Sequence, residues 1–235
     1  MHPHLFHFGR LILPTYGFLV ALGTILSLLV SVRTARLLSL DTDKMWSVAL
    51  LAIVTALAGR ILLTLLHWPR ALSVGFGGVV LAAVAAVVYA WRLGLPIRRT
   101  ADAFAPSLAL GCAVIAIGCL EAGCDYGTPT HLPWAVVFND PYAVPGTPLG
   151  VALHPTQLYA SLVQFLLFVL LLWLLHRPHQ DGEILGAWLF LGGLSGFLLT
   201  LLRGDSVIAT QLASATMVFA GGLLWLHRPQ VSHGG

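Results

Sequence analysis

The chain has 235 residues, of which 58% are hydrophobic and only 9% charged, with a formal net charge of +3 and a mean hydropathy of +0.89. A soluble domain is about a quarter charged, so 12 Lys+Arg and 9 Asp+Glu are too few to wet a surface of this size. Composition thus excludes an ordinary cytosolic enzyme, a disordered chain and a disulfide-rich secreted module, and it predicts an all-α polytopic membrane protein.

A helix crosses the hydrocarbon core with about 20 apolar residues. Seven runs qualify, near 11–32, 45–68, 71–91, 103–120, 155–175, 184–202 and 206–226. The first is read as a span and not as a cleaved signal, because it is longer than a signal's apolar region and no small-residue cleavage site follows. Arg60 alone interrupts the second. Trp46, Trp68, Trp91, Trp173, Trp188 and Trp225 lie near the ends of runs, where interfacial indoles belong. Neither a repeat nor a soluble domain is visible, so residues 1–235 are read as one integral membrane domain.

The basic residues set the expected orientation. Arg33, Arg36, Lys44, Arg92, Arg98, Arg99, Arg177 and Arg228 fall on one side, and only Arg10, Arg70 and Arg203 on the other. By the positive-inside rule the N-terminus lies outside and the C-terminus in the cytoplasm. The long connection 121–154 is then external. It has no Lys or Arg, is rich in Pro and Gly, and is of a length more often functional than idle. Basic residues placed between apolar runs give no nucleic-acid signal.

Polar groups at membrane depth are costly and mark sites or structural pairs. For Arg60 two readings stand side by side. It is an anion site for a lipid phosphate, which the guanidinium fork matches, or a snorkelling or ion-paired residue. Tyr16, after Pro14, is a hydrogen-bonding group or part of an aromatic belt. Gly77 and Gly78 permit close approach by another helix or by a headgroup. In Leu153-His154-Pro155-Thr156-Gln157-Leu158-Tyr159, Pro155 opens a helix, Gln157 and Tyr159 enter the outer leaflet, and His154 is a base or a loop anchor. Arg203 pairs locally with Asp205 or faces an anionic headgroup.

Three cysteines cannot all pair within one chain. Cys119 and Cys124 have no metal-type spacing. A disulfide between them requires the helix to break. Cys112 reads as a small core residue, Glu121 and Asp125 as surface carboxylates, and His2, His4 and His7 as a terminal tail. No metal and no cofactor is expected.

Together these pieces resemble the prolipoprotein diacylglyceryl transferase family. The resemblance rests on Thr15-Tyr16-Gly17, Gly59-Arg60, Gly77-Gly78, Gly123 with Tyr126-Gly127, His154-Pro155-Thr156-Gln157-Leu158-Tyr159 and Leu202-Arg203-Gly204-Asp205, in that order along almost the whole chain. The His-Pro-Thr-Gln-Leu-Tyr run is the most specific. The resemblance implies a bacterial inner-membrane protein whose partners are phosphatidylglycerol or another anionic lipid and a preprolipoprotein signal peptide. It also implies transfer of diacylglycerol to a cysteine thiol, with departure of glycerol phosphate.

The resemblance also identifies departures. Phe76 stands where the family has His, Ala116 and Gly196 where it has Arg, Cys119 where it has Asn, and Thr200 where it has Glu. In an active enzyme, His154 would be the substitute base, Arg60 and Arg203 would hold phosphate with Gly77 and Gly78, and Tyr16, Gln157 and Tyr159 would position the headgroup. The alternative is a paralogue that binds lipid or lipopeptide without catalysis. A transporter fits least well, because it would show broken helices in paired halves.

Overall fold

The computed structural model describes residues 4–8, 11–66, 77–205 and 208–226, with side chains from residue 14 onward. Two short strands, β1 (His4–Phe8) and β2 (Leu11–Pro14), pair antiparallel ahead of the helices. Seven helices follow: α1 (Thr15–Leu37), α2 (Thr42–Leu65), α3 (Gly77–Arg92), α4 (Ile97–Ala122), α5 (Thr156–Leu175), α6 (Glu183–Thr200) and α7 (Ile208–Leu226). Two more short strands, β3 (Val136–Val137) and β4 (Ala152–Leu153), lie in the connection between α4 and α5.

Among the described residues six helices are long and apolar enough to cross a membrane, and α3 is a shorter apolar helix of 16 residues. The protein is a multi-pass membrane protein. Of the seven expected spans, six are matched by these helices and the third by the shorter α3. The start of the third predicted span, 71–76, lies outside the described residues. The first predicted span began at residue 11, yet α1 begins at Thr15. Proline biases the residue before it towards extended backbone, so Leu11–Pro14 pairs as a strand before the helix starts. In the other direction, α4 starts six residues before the predicted span at 103, because Arg98 and Arg99 extend the helix past its apolar run.

Local chemistry sets several boundaries. Asp41 caps α2 by accepting from the backbone N–H groups of Asp43 (3.0 Å) and Lys44 (3.2 Å). The end of α4 is a Schellman turn. Gly123 takes φ +80, the Gly123 N–H donates to the Leu120 carbonyl at 3.3 Å, and that of Cys124 to the Cys119 carbonyl at 3.1 Å.

The described residues form two compact units. In the unit from Leu28 to Phe104, Ala35, Met45, Val48, Ala90, Leu95 and Ala103 form a buried core. Thr34 donates to the Ala103 carbonyl at 2.6 Å, and Lys44 Nζ to the Leu93 carbonyl at 3.0 Å. Here α2 and α3 touch through glycines. A Cβ on Gly78 would lie 2.6 Å from the Ala56 carbonyl oxygen, and one on Gly59 would lie 3.3 Å from Gly78 Cα. Such backbone contact suits helices in lipid, where packing replaces the hydrophobic drive.

The other unit holds the described residues up to Ser27 and those from Ala105 onward. Within it α1 meets α4, with Ser27 Oγ donating to the Ser107 carbonyl at 2.8 Å. The α6–α7 seam is lined by Gly186, Gly193 and Gly221, and Trp188 donates to Gln164 of α5 at 3.2 Å. Outward faces carry Leu162, Phe165, Leu198, Leu212 and Phe219, all exposed, as lipid-facing helices require.

Candidate functional site

The site is built from backbone pairing in the α4–α5 connection. Residues 126–130 run between two other segments. On one side Gly127 donates to the His154 carbonyl (3.2 Å) and His154 to that of Thr128 (3.0 Å). On the other, Thr128 donates to the Leu202 carbonyl (2.8 Å) and Gly204 to that of Tyr126 (2.9 Å). His154 and Arg203 thus flank the strand-like Tyr126-Gly127 segment. Gly127 has room for no side chain, because a Cβ there would strike the His154 carbonyl and Cβ. Leu120, Phe138 and Leu153 form the small apolar core of this assembly, with Tyr126 and Val136 against it.

Arg203 follows α6 and its side chain is 14% exposed. Nε donates to Asp205 Oδ1 (2.8 Å), while Nη2 donates to Asp205 Oδ2 (2.6 Å) and Asp125 Oδ1 (2.5 Å). Burial works against the charged guanidinium. The hydrogen bonds and charges of Asp205 and Asp125 outweigh it and hold the Arg203 pKa above its ordinary value. The triad carries one net negative charge. An arginine has five N–H donors, so the two on Nη1 stand outside these three bonds.

The His-Pro-Thr-Gln-Leu-Tyr run fastens the connection to α5. Thr156 Oγ1 donates to the Asp125 carbonyl at 2.5 Å, and Gln157 Nε2 to the Cys124 carbonyl at 2.6 Å. Both side chains are buried, and Gln157 Oε1 and His154 Nδ1 are buried without a hydrogen-bond partner. Tyr159 accepts from Trp134 Nε1 at 2.7 Å, and its ring meets that of His154 edge-on at 6.3 Å. Tyr16 lies against α4, because a Cβ on Gly118 would meet its ring at 3.3 Å. His154, Gln157, Tyr159 and Arg203 are therefore brought together on one small backbone assembly.

Arg60, Gly77 and Gly78 belong to the other unit. Arg60 is exposed near the end of α2 and makes no ion pair with any described residue. Gly78 is buried against the turn that bears it, since its Cβ would lie 3.3 Å from the Arg60 backbone nitrogen. Close helix approach accounts for Gly78, and Gly77 is the first residue of α3. Of the positions that the resemblance reads as departures, Gly196 faces Ser214 of α7, Ala116 is half-buried, and Thr200 is buried and donates to the Phe197 carbonyl at 2.6 Å. Phe76 lies outside the described residues.

Sequence reasoning missed Trp134 and the parts played by Thr156 and Asp125. It also missed that the Cys119 and Cys124 sulfurs and an Asp125 oxygen lie within 4.8 Å of one another. The sequence signal for that cluster is Gly123, the glycine that ends α4 and folds Cys124 back beside Cys119. All three cysteines are free thiols.

The comparisons agree with the resemblance carried by the sequence motifs. The prolipoprotein diacylglyceryl transferase family model matches residues 3–227. A Finegoldia magna protein named phosphatidylglycerol–prolipoprotein diacylglyceryl transferase is 30% identical over 229 residues, covering 89% of this chain and 88% of the relative. Proteins of the same name from Clostridium tetani and Thermosynechococcus vestitus are 29% and 28% identical, covering 87% and 89% of this chain and 86% and 84% of the relatives. The chain belongs to the prolipoprotein diacylglyceryl transferase family.

Proposed function

We propose that the protein transfers a diacylglyceryl group from phosphatidylglycerol to the cysteine thiol of a prolipoprotein, at the outer face of a bacterial inner membrane. The observation that carries this reading is the family match over residues 3–227, which takes in every described helix. The N-terminus and the α4–α5 connection lie outside in this reading, and the C-terminus in the cytoplasm.

The reaction is a substitution at carbon. The thiol gives up its proton and the thiolate attacks the glycerol carbon. A C–S bond forms, the C–O bond to phosphate breaks, and glycerol phosphate leaves with the electron pair. His154, whose ring meets that of Tyr159 edge-on, is the proton acceptor. The Nη1 group of Arg203 offers two N–H donors to the lipid phosphate, and Arg60, in the other unit and free of carboxylates among the described residues, is read by itself as an anion-binding residue. Tyr16 and Tyr159 position the headgroup. Gln157 acts from beneath, by fixing the Cys124 carbonyl.

A second reading is favoured by one specific observation. The positions where the family pattern has charged groups are Ala116, Gly196 and Thr200, and Arg203 is already clasped by two carboxylates. A chain so built binds phosphatidylglycerol or a lipobox peptide without transferring the group, since loss of a positioned acid or base costs about 10²–10⁴-fold in rate.

One experiment separates the two. The purified protein is mixed in detergent with phosphatidylglycerol and a lipobox peptide, and mass spectrometry follows the peptide. A diacylglyceryl adduct on the wild-type peptide, missing from a cysteine-to-serine control, establishes transfer. Lipid binding with no adduct establishes the second reading. Neither binding nor adduct overturns both.

A further inference from the structure

We propose that the outer end of α4 is a binding site for one thiophilic metal ion of the zinc class, held by Cys119, Cys124 and Asp125. The Schellman turn supplies the geometry. It closes the Cys124 N–H onto the Cys119 carbonyl at 3.1 Å, which brings the residue five places on back over the last helical turn. The contact there, usually between two apolar side chains, is made by two thiols. Asp125 follows in the left-handed region at φ +58, and its carboxylate falls beside them, so that all three ligand atoms lie within 4.8 Å of one another.

Tetrahedral zinc with sulfur at about 2.3 Å needs ligand atoms roughly 3.8 Å apart. Small side-chain rotations close that difference. Two thiolates favour zinc, cadmium or copper(I) over magnesium or calcium, and three protein ligands leave a fourth position for water or another donor.

The surroundings pin the ligands. Gln157 Nε2 holds the Cys124 carbonyl (2.6 Å) and Thr156 Oγ1 the Asp125 carbonyl (2.5 Å), so α5 fixes the backbone of two ligand residues. Arg203 holds Asp125 through Oδ1 alone at 2.5 Å, which leaves Oδ2 for the metal. A metal-bound carboxylate anchored by its second oxygen is the usual outer-shell arrangement. A disulfide between the two cysteines would give Asp125 no part in the cluster. The assignment does not depend on whether the protein transfers lipid.

The test is metal binding by the full-length protein in detergent, with its thiols reduced and the reductant removed. Titration with Co²⁺ should saturate at one ion per chain, with tetrahedral d–d bands and thiolate charge transfer, and Zn²⁺ should displace it. Cys119→Ser and Cys124→Ser should each weaken binding by about 100-fold and Asp125→Asn by about tenfold, while Cys112→Ser leaves it unchanged. Should the serine variants misfold, Zn²⁺ must still protect Cys119 and Cys124 of the wild-type protein from maleimide, and not Cys112. Absence of saturable Co²⁺ binding, binding unaffected by Cys119→Ser, or a native protein whose mass shows Cys119 joined to Cys124 overturns the proposal.

Discussion

Arg203 Nη2 donates to Asp125 Oδ1 at 2.5 Å across 78 positions of the chain. The bond ties the residues just past α6 to the turn that ends α4. Asp205 braces the same guanidinium from the other side. Arg203→Ala would leave two carboxylates facing one another, and a destabilisation of about 2 kcal/mol is expected after allowance for partial exposure of the aspartates. Thermal unfolding in detergent measures it. The Arg203 pKa is raised, so its contribution is complete below the ordinary arginine value and is lost only as pH climbs past it. The stability difference between wild type and Arg203→Ala should therefore not fall between about pH 7 and about pH 10 through loss of the arginine charge. A fall caused by guanidinium deprotonation in that window would contradict the triad.

Adjacent glycines in α7 should respond oppositely to alanine. A Cβ on Gly221 would sit 2.5 Å from the Phe190 backbone nitrogen and 2.7 Å from the Gly186 carbonyl oxygen, whereas one on Gly222 meets nothing within 4 Å. Gly221→Ala is expected to cost about 1–3 kcal/mol through forced separation of α6 and α7. Gly222→Ala should be neutral or stabilising by up to about 1 kcal/mol, as alanine is the better helix former. Equal unfolding temperatures for the two variants would refute the packing of this seam.

Trp134 and Tyr159 should behave as one unit. The Nε1–Oη bond of 2.7 Å holds the phenol from the loop side. Trp134→Phe and Tyr159→Phe each remove a bond worth about 1 kcal/mol net. In lipid-binding titrations the double variant should lose no more than either single one. Additive losses would mean that the two side chains act separately.

Arg60 should discriminate lipids by charge. Arg60→Ala is expected to weaken binding to vesicles containing phosphatidylglycerol by about tenfold and to leave binding to zwitterionic vesicles unchanged, with the wild-type advantage shrinking at high salt. Arg60→Lys should recover part of the affinity, since lysine keeps the charge without the planar fork. Equal binding by the wild type and the Arg60→Ala variant across both lipids would overturn the reading of Arg60 as an anion-binding residue.

The orientation has its own check. With the three cysteines replaced by serine, a single cysteine at Thr130 should react with a membrane-impermeant maleimide in intact cells, and one at Arg98 only after lysis. The reverse pattern would invert the topology.

The sequence by itself determined the membrane class, the rough position of the seven described helices and the family. The class and the helices are legible because apolar runs and charged flanks are local properties that a bilayer reads directly, and the family because its likeness rests on short motifs such as His154-Pro155-Thr156-Gln157-Leu158-Tyr159. It marked His154, Gln157, Tyr159 and Arg203 as exceptional for the same reason, as polar groups beside apolar runs. It could not say what they touch. Gln157 reaches a carbonyl 33 residues away, Thr156 one 31 away, and Arg203 a carboxylate 78 away. Such partners are chosen by how the chain closes in space. The late start of α1 at Thr15 was likewise decided by Pro14 and by the pairing of β2 with β1, not by hydropathy. The thiol cluster is the clearest case. A Cys-x₄-Cys spacing has no metal meaning on a continuous helix. It acquires one because Gly123 turns left-handed and folds Cys124 and Asp125 back over Cys119.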